Sequence, residues 1–469
     1  MLFRSASMTQ VKSKLFDLNE TRHLLKLAIP LLITQVITAL MLFTDTVIAS
    51  QLSHVDMASV SVATSLWGPV VFSIQGLLIA VTPVVAQLLG ASGSNNDTKP
   101  LVSTLYQGMY LALIVCFFVV LIYQFVNVPL DNLDLEPELH DKSLGYLQFA
   151  IWGILPTCLF FVFRSFFEGI GLTTPALITG VIGLILNIPL NYIFVFGEFG
   201  MPQLGGAGSG LATAIIQWVS FIVLLIYLHK GKKLKPMKVF SRFEKPNLEK
   251  IKSLSRIGLP IFVSLLFETT LFAFSALAIA PLGAIAIAGH QVAFSYSSVV
   301  FMAPLSLSMA ATIRIGYLKG FGDINMLKQA IKTCFVLAAA FGSFVMLITY
   351  LFRDSIISMY TEQPEVVALA SSILIITAIY QLPDAVQVMC AGIFKGLKIT
   401  KPLLYITFIA YWPLGFGLGY MLGRTDILVP AMGPAGFWWG IVLGLSAASV
   451  MFFYWLRKTL KHPDTFLPD

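Results

Sequence analysis

Three acidic residues stand inside stretches otherwise composed for lipid. Asp45 lies in TALMLFTDTVIAS (residues 38–50), Glu268 in SLLFETTLFAF and Asp384 in TAIYQLPDAVQVM. A charge at the middle of a bilayer costs roughly 2.5–3.5 kcal/mol on insertion scales, so three would together cost roughly 8–10 kcal/mol. Each acid heads a polar stripe at helical spacing: Thr34, Thr38, Met41 and Asp45; Ser264, Glu268 and Ser275, with Phe272 alongside; Thr377, Tyr380, Asp384 and Gln387. Pro383 cannot donate to the carbonyl of Ile379. A freed carbonyl beside two carboxylates suits a hard cation such as Na⁺. A carboxyl group in an apolar cavity can instead carry a proton near neutral pH. Asn187 and Asn191 are spaced i, i+4, and Asn191 falls at about the height of Asp45, where it could share a hydrogen-bond network. Polar residues also serve as glue between membrane helices, which suffices for a lone Asn or Thr but not for three acids at these depths. Arg164 and Glu168, also i, i+4, read as a local structural ion pair.

The elements that must position these groups follow from composition. The 469 residues are 57% hydrophobic and 11% charged, against about 25% charge in a soluble domain. Such a chain cannot solvate its own surface in water, so it is read as an all-α polytopic membrane protein. Twelve spans are predicted: 25–50, 56–88, 101–126, 144–168, 174–196, 208–229, 257–281, 284–313, 328–351, 367–394, 402–423 and 435–457. Interior prolines at 30, 69, 83, 156, 189, 260, 304, 383 and 413 should kink several of them. A rise of about 1.5 Å per residue places Glu268 and Asp384 both about 17 Å from the basic end of their spans, and Asp45 about 28 Å up, in the other half of the bilayer.

The net charge of +7 is unevenly spread. The connection at 229–256 holds ten Lys and Arg. The other side of the membrane keeps only Lys142, Arg353 and Arg424, and its largest loop, VPLDNLDLEPELHD, is acidic. The positive-inside rule then places both termini in the cytoplasm. The basic excess is a topology signal and no nucleic-acid footprint. The first 22 residues are polar and basic with no apolar core, so no cleavable signal peptide is expected. Cys116, Cys158, Cys334 and Cys390 sit in apolar segments without paired spacing, as packing residues do.

The two halves of the chain resemble each other. A shift of 230 aligns Pro30 with Pro260, Leu52 with Leu282, Thr82 with Thr312 and Gly90 with Gly320. A shift of 227 aligns Pro156 with Pro383, Phe167 with Phe394, Gly169 with Gly396 and Pro175 with Pro402. Six spans in each half make the repeat parallel, as in transporters whose two lobes rock about a central site. The expected organisation is therefore an amino-terminal lobe (1–229), a basic cytoplasmic connection (230–256) and a carboxy-terminal lobe (257–469), two pseudo-symmetric six-helix lobes.

FTDTVIAS, NIPLNYIFVFG, LFETTLFAF, AGHQVA and IYQLPDAVQV, with the twelve-span layout and basic middle loop, resemble the NorM-type branch of the multidrug and toxic compound extrusion (MATE) family. The resemblance covers nearly the whole chain. It implies a secondary antiporter of the cell inner membrane, expected to act as a monomer, that exports small cationic, often aromatic compounds in exchange for Na⁺ and/or H⁺, with no other cofactor. Carried over by position, Asp45 resembles the amino-lobe acid that couples protons and drug, supported by Asn187, Asn191 and Thr38. Glu268, Tyr380 and Asp384 resemble the carboxy-lobe cation site, with Glu268 and Asp384 as its carboxylate ligands for Na⁺. Some of the 37 Phe, 16 Met and 15 Tyr would line an adaptable cavity for aromatic cations.

Rival classes fit less well. A flippase of lipid-linked precursors, from the same wider superfamily, would need several basic residues in its cavity. An enzyme is not expected, since no His/Asp or His/Cys cluster offers a nucleophile or a metal site. No G-x-x-x-x-G-K-[ST] motif provides for ATP. A passive channel would not need a two-lobe repeat with its own acids in each lobe.

Overall fold

The computed structural model describes residues 17–92, 97–133, 135–231, 234–241, 243–427 and 429–461, so most of the amino-terminal stretch lies outside the described residues. Twelve helices are long and apolar enough to cross a membrane: α1 Leu18–Leu52, α2 His54–Ala91, α3 Lys99–Tyr123, α4 Pro137–Gly169, α5 Thr174–Phe196, α6 Gly206–Lys230, α7 Leu248–Leu282, α8 Ala284–Phe321, α9 Ile324–Ser358, α10 Pro364–Gly396, α11 Lys401–Arg424 and α12 Pro434–Leu460. All twelve expected spans are present, and no strand occurs among the described residues. A helix satisfies its own backbone, which is why the polypeptide takes this form in hydrocarbon. Large apolar side chains such as Phe117, Ile122, Phe344 and Val450 are exposed on the helix surfaces, as lipid contact requires.

The helices outrun the spans at several ends. Most notably, α8 continues to Phe321, which puts Arg314 inside a helix rather than in a connection. Its guanidinium donates through Nε and Nη2 to the two carboxylate oxygens of Glu20 at 2.6 and 2.8 Å, and both residues are buried. Three of the interior prolines leave visible marks. α2 is interrupted at Ile79–Ala80, just ahead of Pro83; a 3₁₀ turn, Ile151–Gly153, precedes Pro156; and Pro413 sits in a π-helical stretch, Ala410–Gly417. Each removes a backbone donor that the widened or broken turn no longer needs.

The chain forms two compact units, one of residues 33–259 and one of residues 1–32 together with 260–469. Both α1 and α7 therefore contribute to both units, the division falling near Pro30 and at Pro260. In the first unit the connection after α6 is fastened to α3. The Tyr106 and Tyr110 hydroxyls donate to the carbonyls of Val239 and Glu244, and Gln107 binds the carbonyl of Lys245 and the N–H of Asn247. In the second unit α10 is the central helix, packed against α8, α9 and α12. Gly436, Gly440 and Gly444 on α12 bring its backbone against the backbone of α11, where any Cβ would collide.

The repeat is written into the backbone. Gly205 before α6 and Gly433 before α12 share one conformation, φ 59, ψ −138 and φ 62, ψ −139. Gly171 and its counterpart Lys398 both take positive φ, 77° and 60°. The Thr82 hydroxyl donates to the carbonyl of Ser165, and its counterpart Thr312 donates to Gly392, the residue equivalent to Ser165.

Candidate functional site

Asp45 is buried on α1 in the first unit, 3% exposed, and faces α5. Asn187 and Asn191, both fully buried, donate their side-chain amides to one carboxylate oxygen, Oδ1, at 2.8 Å each. Asn191 also donates to the carbonyl of Asn187, while the side-chain carbonyl oxygens of both asparagines have no hydrogen-bond partner. Pro189 lies between the two asparagines in α5. Their i, i+4 spacing stacks both amides on one helix face, so the expected sharing of hydrogen bonds is realised. Thr213 on α6 stands near the Asp45 carboxylate, and the buried Tyr146 on α4 stands near Thr213. Neither was legible in the sequence, because nothing there states which face of α4 or α6 turns toward α1.

Thr38 does not join this network. It is exposed, and its hydroxyl donates to the carbonyl of Thr34 one turn back, at 3.0 Å. Seven residues from Asp45, it is about 10 Å away along the helix, too far for a hydroxyl to bridge. Thr34, by contrast, is buried.

In the second unit Tyr380 and Asp384 are buried on α10, 3% and 4% exposed, one helical turn apart and near enough for each to act on the other. Glu268 on α7 is half-buried and near enough for its charge to act on Asp384, Tyr380 and Tyr411. The two carboxylates thus converge on one interior with Tyr380 between the same helices. Gln387, one turn beyond Asp384, donates to the Tyr411 hydroxyl at 2.8 Å. Tyr411, fully buried on α11, is a member that spacing did not reveal. Its proximity to Pro413 and the π-helical turn could have drawn attention to it. The edge of Tyr380 meets the ring of Trp438 on α12, with centroids 6.1 Å apart. Asp384 Oδ2 is buried and accepts no hydrogen bond. The Pro383 carbonyl accepts from Ser449 at 2.8 Å. Ile379, whose carbonyl Pro383 leaves free, carries a side chain 41% exposed at the helix surface.

A buried carboxylate oxygen without a hydrogen-bond partner, beside a second carboxylate and two phenols, is an oxygen-rich place without a fixed cation. It fits a hard monovalent cation or a proton. Among the described residues no group of three or more His, Cys, Asp or Glu is assembled for a transition metal. Arg164 Nε donates to Glu168 Oε1 at 2.7 Å, both buried, as the i, i+4 spacing implies. Cys158, Cys334 and Cys390 are buried and Cys116 half-buried, and all four are free thiols.

The family model MatE matches this chain twice, at residues 30–193 and 260–421, the two copies starting 230 residues apart. The probable multidrug resistance protein NorM of Shewanella oneidensis is 43% identical over 443 residues, 94% of this chain and 96% of that protein. The multidrug resistance protein MdtK of Yersinia pseudotuberculosis is 43% identical over 452 residues, 96% of this chain and 97% of that protein. Among solved structures, the eukaryotic MATE transporter AtDTX14 matches with a TM-score of 0.83 at 20% identity, covering 94% of this chain and 96% of that one. The Vibrio cholerae MATE transporter VcmN, in its bent form, matches with a TM-score of 0.82 at 18% identity over 96% and 99% of the two chains. These last two likenesses carry the fold. The relatives are transport and resistance proteins, not enzymes, and with the doubled family match they establish that this twelve-helix chain belongs to the MATE family.

Proposed function

We propose that the protein is a secondary active multidrug efflux antiporter of the cell inner membrane, exporting small cationic, often aromatic compounds in exchange for Na⁺ and/or H⁺. The observation that carries this is the unpartnered Asp384 Oδ2, buried beside Tyr380 and within the field of Glu268. A cation or a proton completes that cluster, and its loss leaves two carboxylates repelling each other in a medium that screens them poorly. The cluster can therefore store the free energy of an ion gradient. The Asp45 cluster supplies a second buried negative charge, within hydrogen-bonding distance of two amides. There a cationic drug and a proton would compete for the same carboxylate. Lobes at 1–229 and 257–469, cytoplasmic termini and a monomeric transporter complete the proposal; the charge distribution supports the orientation. A flippase of lipid-linked precursors lacks support, since the buried Arg164 and Arg314 are each tied to a glutamate.

The test is efflux of a fluorescent cation such as ethidium from proteoliposomes, with an imposed Na⁺ or pH gradient. Efflux that follows one of these gradients, and stops in Asp384→Asn, is the expected result. Efflux indifferent to both gradients would overturn the proposal.

A further inference from the structure

The ion pair of Glu20 and Arg314 has a counterpart in the other half that is no pair. By the shift of 230 that aligns Pro30 with Pro260 and Thr82 with Thr312, Glu20 on α1 corresponds to Lys250 on α7, and Arg314 on α8 to Val84 on α2. In the second unit the carboxylate and the guanidinium meet at 2.6 Å, their side chains 9% and 3% exposed, so the chain fills that slot itself. In the first unit Lys250 and Val84 instead line a cavity of about 200 Å³, together with Leu88 on α2, Thr104 and Gln107 on α3, and Leu254 on α7. One half of the repeat closes the slot with two charges, and the other leaves a cleft with one.

A lysine near a helix end is ordinarily explained by its amine reaching out to water. Lys250, although half exposed, turns its amine inward and donates to the buried hydroxyl of Ser103 on α3 at 2.6 Å. Glu244 Oε2 stands 4.0 Å from the same amine, the outer limit of an ion pair. An ammonium has three N–H donors, so capacity remains toward the cavity that Lys250 lines. The wall is held in place as well. Gln107, fully buried, binds the carbonyl of Lys245 and the N–H of Asn247, which fixes the entry of α7 against α3.

The cleft is layered. Leu88 lies three residues from the end of α2, Thr104 five from the start of α3 and Lys250 two from the start of α7. At about 1.5 Å per residue these lie within about 8 Å of the helix ends, where headgroups give way to hydrocarbon. One turn deeper, Val84 and Leu254 make the cleft apolar. The connection that leads into α7, residues 229–256, carries ten Lys and Arg against two Glu. A ligand with a negative head and an apolar tail matches this order, whereas a free phosphate leaves the apolar depth unused. We propose that the cleft binds one anionic phospholipid from the leaflet on the side of the basic connection, its phosphate on Lys250 and the start of an acyl chain against Val84 and Leu254. Basic pockets between membrane helices recognise such headgroups. The lipid phosphate takes the place that the Glu20 carboxylate fills in the other half, and joins α2, α3 and α7 as the internal ion pair joins α1 and α8. The proposal goes beyond the antiport function and uses none of its residues.

The experiment titrates the full chain, purified in detergent, with phosphatidylglycerol or phosphatidylcholine, alone and against inorganic phosphate. Bound lipid is counted by native mass spectrometry, and thermal stability is recorded beside it. One phosphatidylglycerol should be held at least about tenfold more tightly than phosphatidylcholine, as one charge-assisted hydrogen bond implies, and should raise the unfolding temperature. Lys250→Met should lose that preference and Lys250→Arg should keep it. Lys252→Met removes an exposed lysine two residues away that does not line the cleft, and should leave the preference unchanged. If Lys250→Met fails to fold, Lys250→Gln carries the same expectation with a polar side chain in place of the amine. A preference that survives in the neutral Lys250 variants overturns the proposal. An equal loss in Lys252→Met overturns it too, since attraction to the basic face as a whole then accounts for binding. Displacement of the lipid by millimolar inorganic phosphate assigns the cleft to a soluble anion and also overturns it. The antiport function stands or falls separately, on gradient-driven efflux.

Discussion

The two carboxylate clusters solve the same problem in opposite ways. In residues 33–259, Asp45 is met by donors: two asparagine amides converge on one oxygen, and Thr213 stands near. In residues 260–469, Asp384 shares its interior with another acid and two phenols, and one of its oxygens has no donor at all. A donor-rich surround offsets part of the cost of burying a carboxylate's charge, because hydrogen bonds replace some of the lost water. An acid-rich surround adds to that cost instead, and calls for a cation or a proton. On the function proposed above, the difference would divide the labour, with ion binding centred on Asp384 and Glu268 and a second, hydrogen-bonded acid at Asp45.

The largest effect should come from the acid-rich cluster. Asp384→Asn or Glu268→Gln should abolish gradient-driven dye efflux, a fall of at least about a hundredfold, equivalent to about 2.7 kcal/mol of coupling. Trp438, whose ring abuts Tyr380, offers a reporter: Na⁺-induced changes in its fluorescence should vanish in Asp384→Asn. If Na⁺ and protons still drive efflux in Asp384→Asn, ion binding does not reside there and the division of labour collapses.

Asp45→Asn comes next. The new side chain can still accept both amides through its own oxygen. The variant should therefore keep its stability to within about 1 kcal/mol, measured by thermal unfolding in detergent. Gradient-coupled efflux should nevertheless fall at least about tenfold, or 1.4 kcal/mol, because the titrating charge is gone. The Trp438 response to Na⁺ should persist. Loss of that response would show that the two clusters act as one.

A smaller effect is expected from Asn191→Ala. It removes one of the two amide donors and leaves Asp45 less satisfied, so stability should fall by about 1–3 kcal/mol, with a partial loss of efflux. A stability unchanged from wild type would mean that water replaces the amide and that the surround is less donor-dependent than its geometry implies. Thr38→Ala should change neither stability nor efflux, since the hydroxyl is exposed and bonded within its own helix. A clear efflux defect in that variant would bring Thr38 back into the substrate path.

Much of this protein was determined by sequence alone. Hydrophobic run length gave the twelve helices, because each must satisfy its backbone within one segment and cross a fixed thickness of hydrocarbon. The helical period placed Asn187 over Asn191, and Tyr380 over Asp384, since partners three or four residues apart on one helix share a face whatever surrounds them. The repeat also declared itself in prolines and glycines, whose backbone constraints are local.

What crosses between helices had to wait for the tertiary structure. The rotation of each helix about its axis is set by packing against its neighbours, and a sequence so uniformly apolar carries little moment to point it. Hence Thr213, Tyr146 and Tyr411 came near their acids only when the helices were assembled, whereas Thr38, correctly placed on its stripe, proved to lie too far along the helix. The buried pair of Glu20 and Arg314, 294 residues apart, is of the same kind. Two charges that far apart in sequence can be recognised as partners only after folding has brought their helices together.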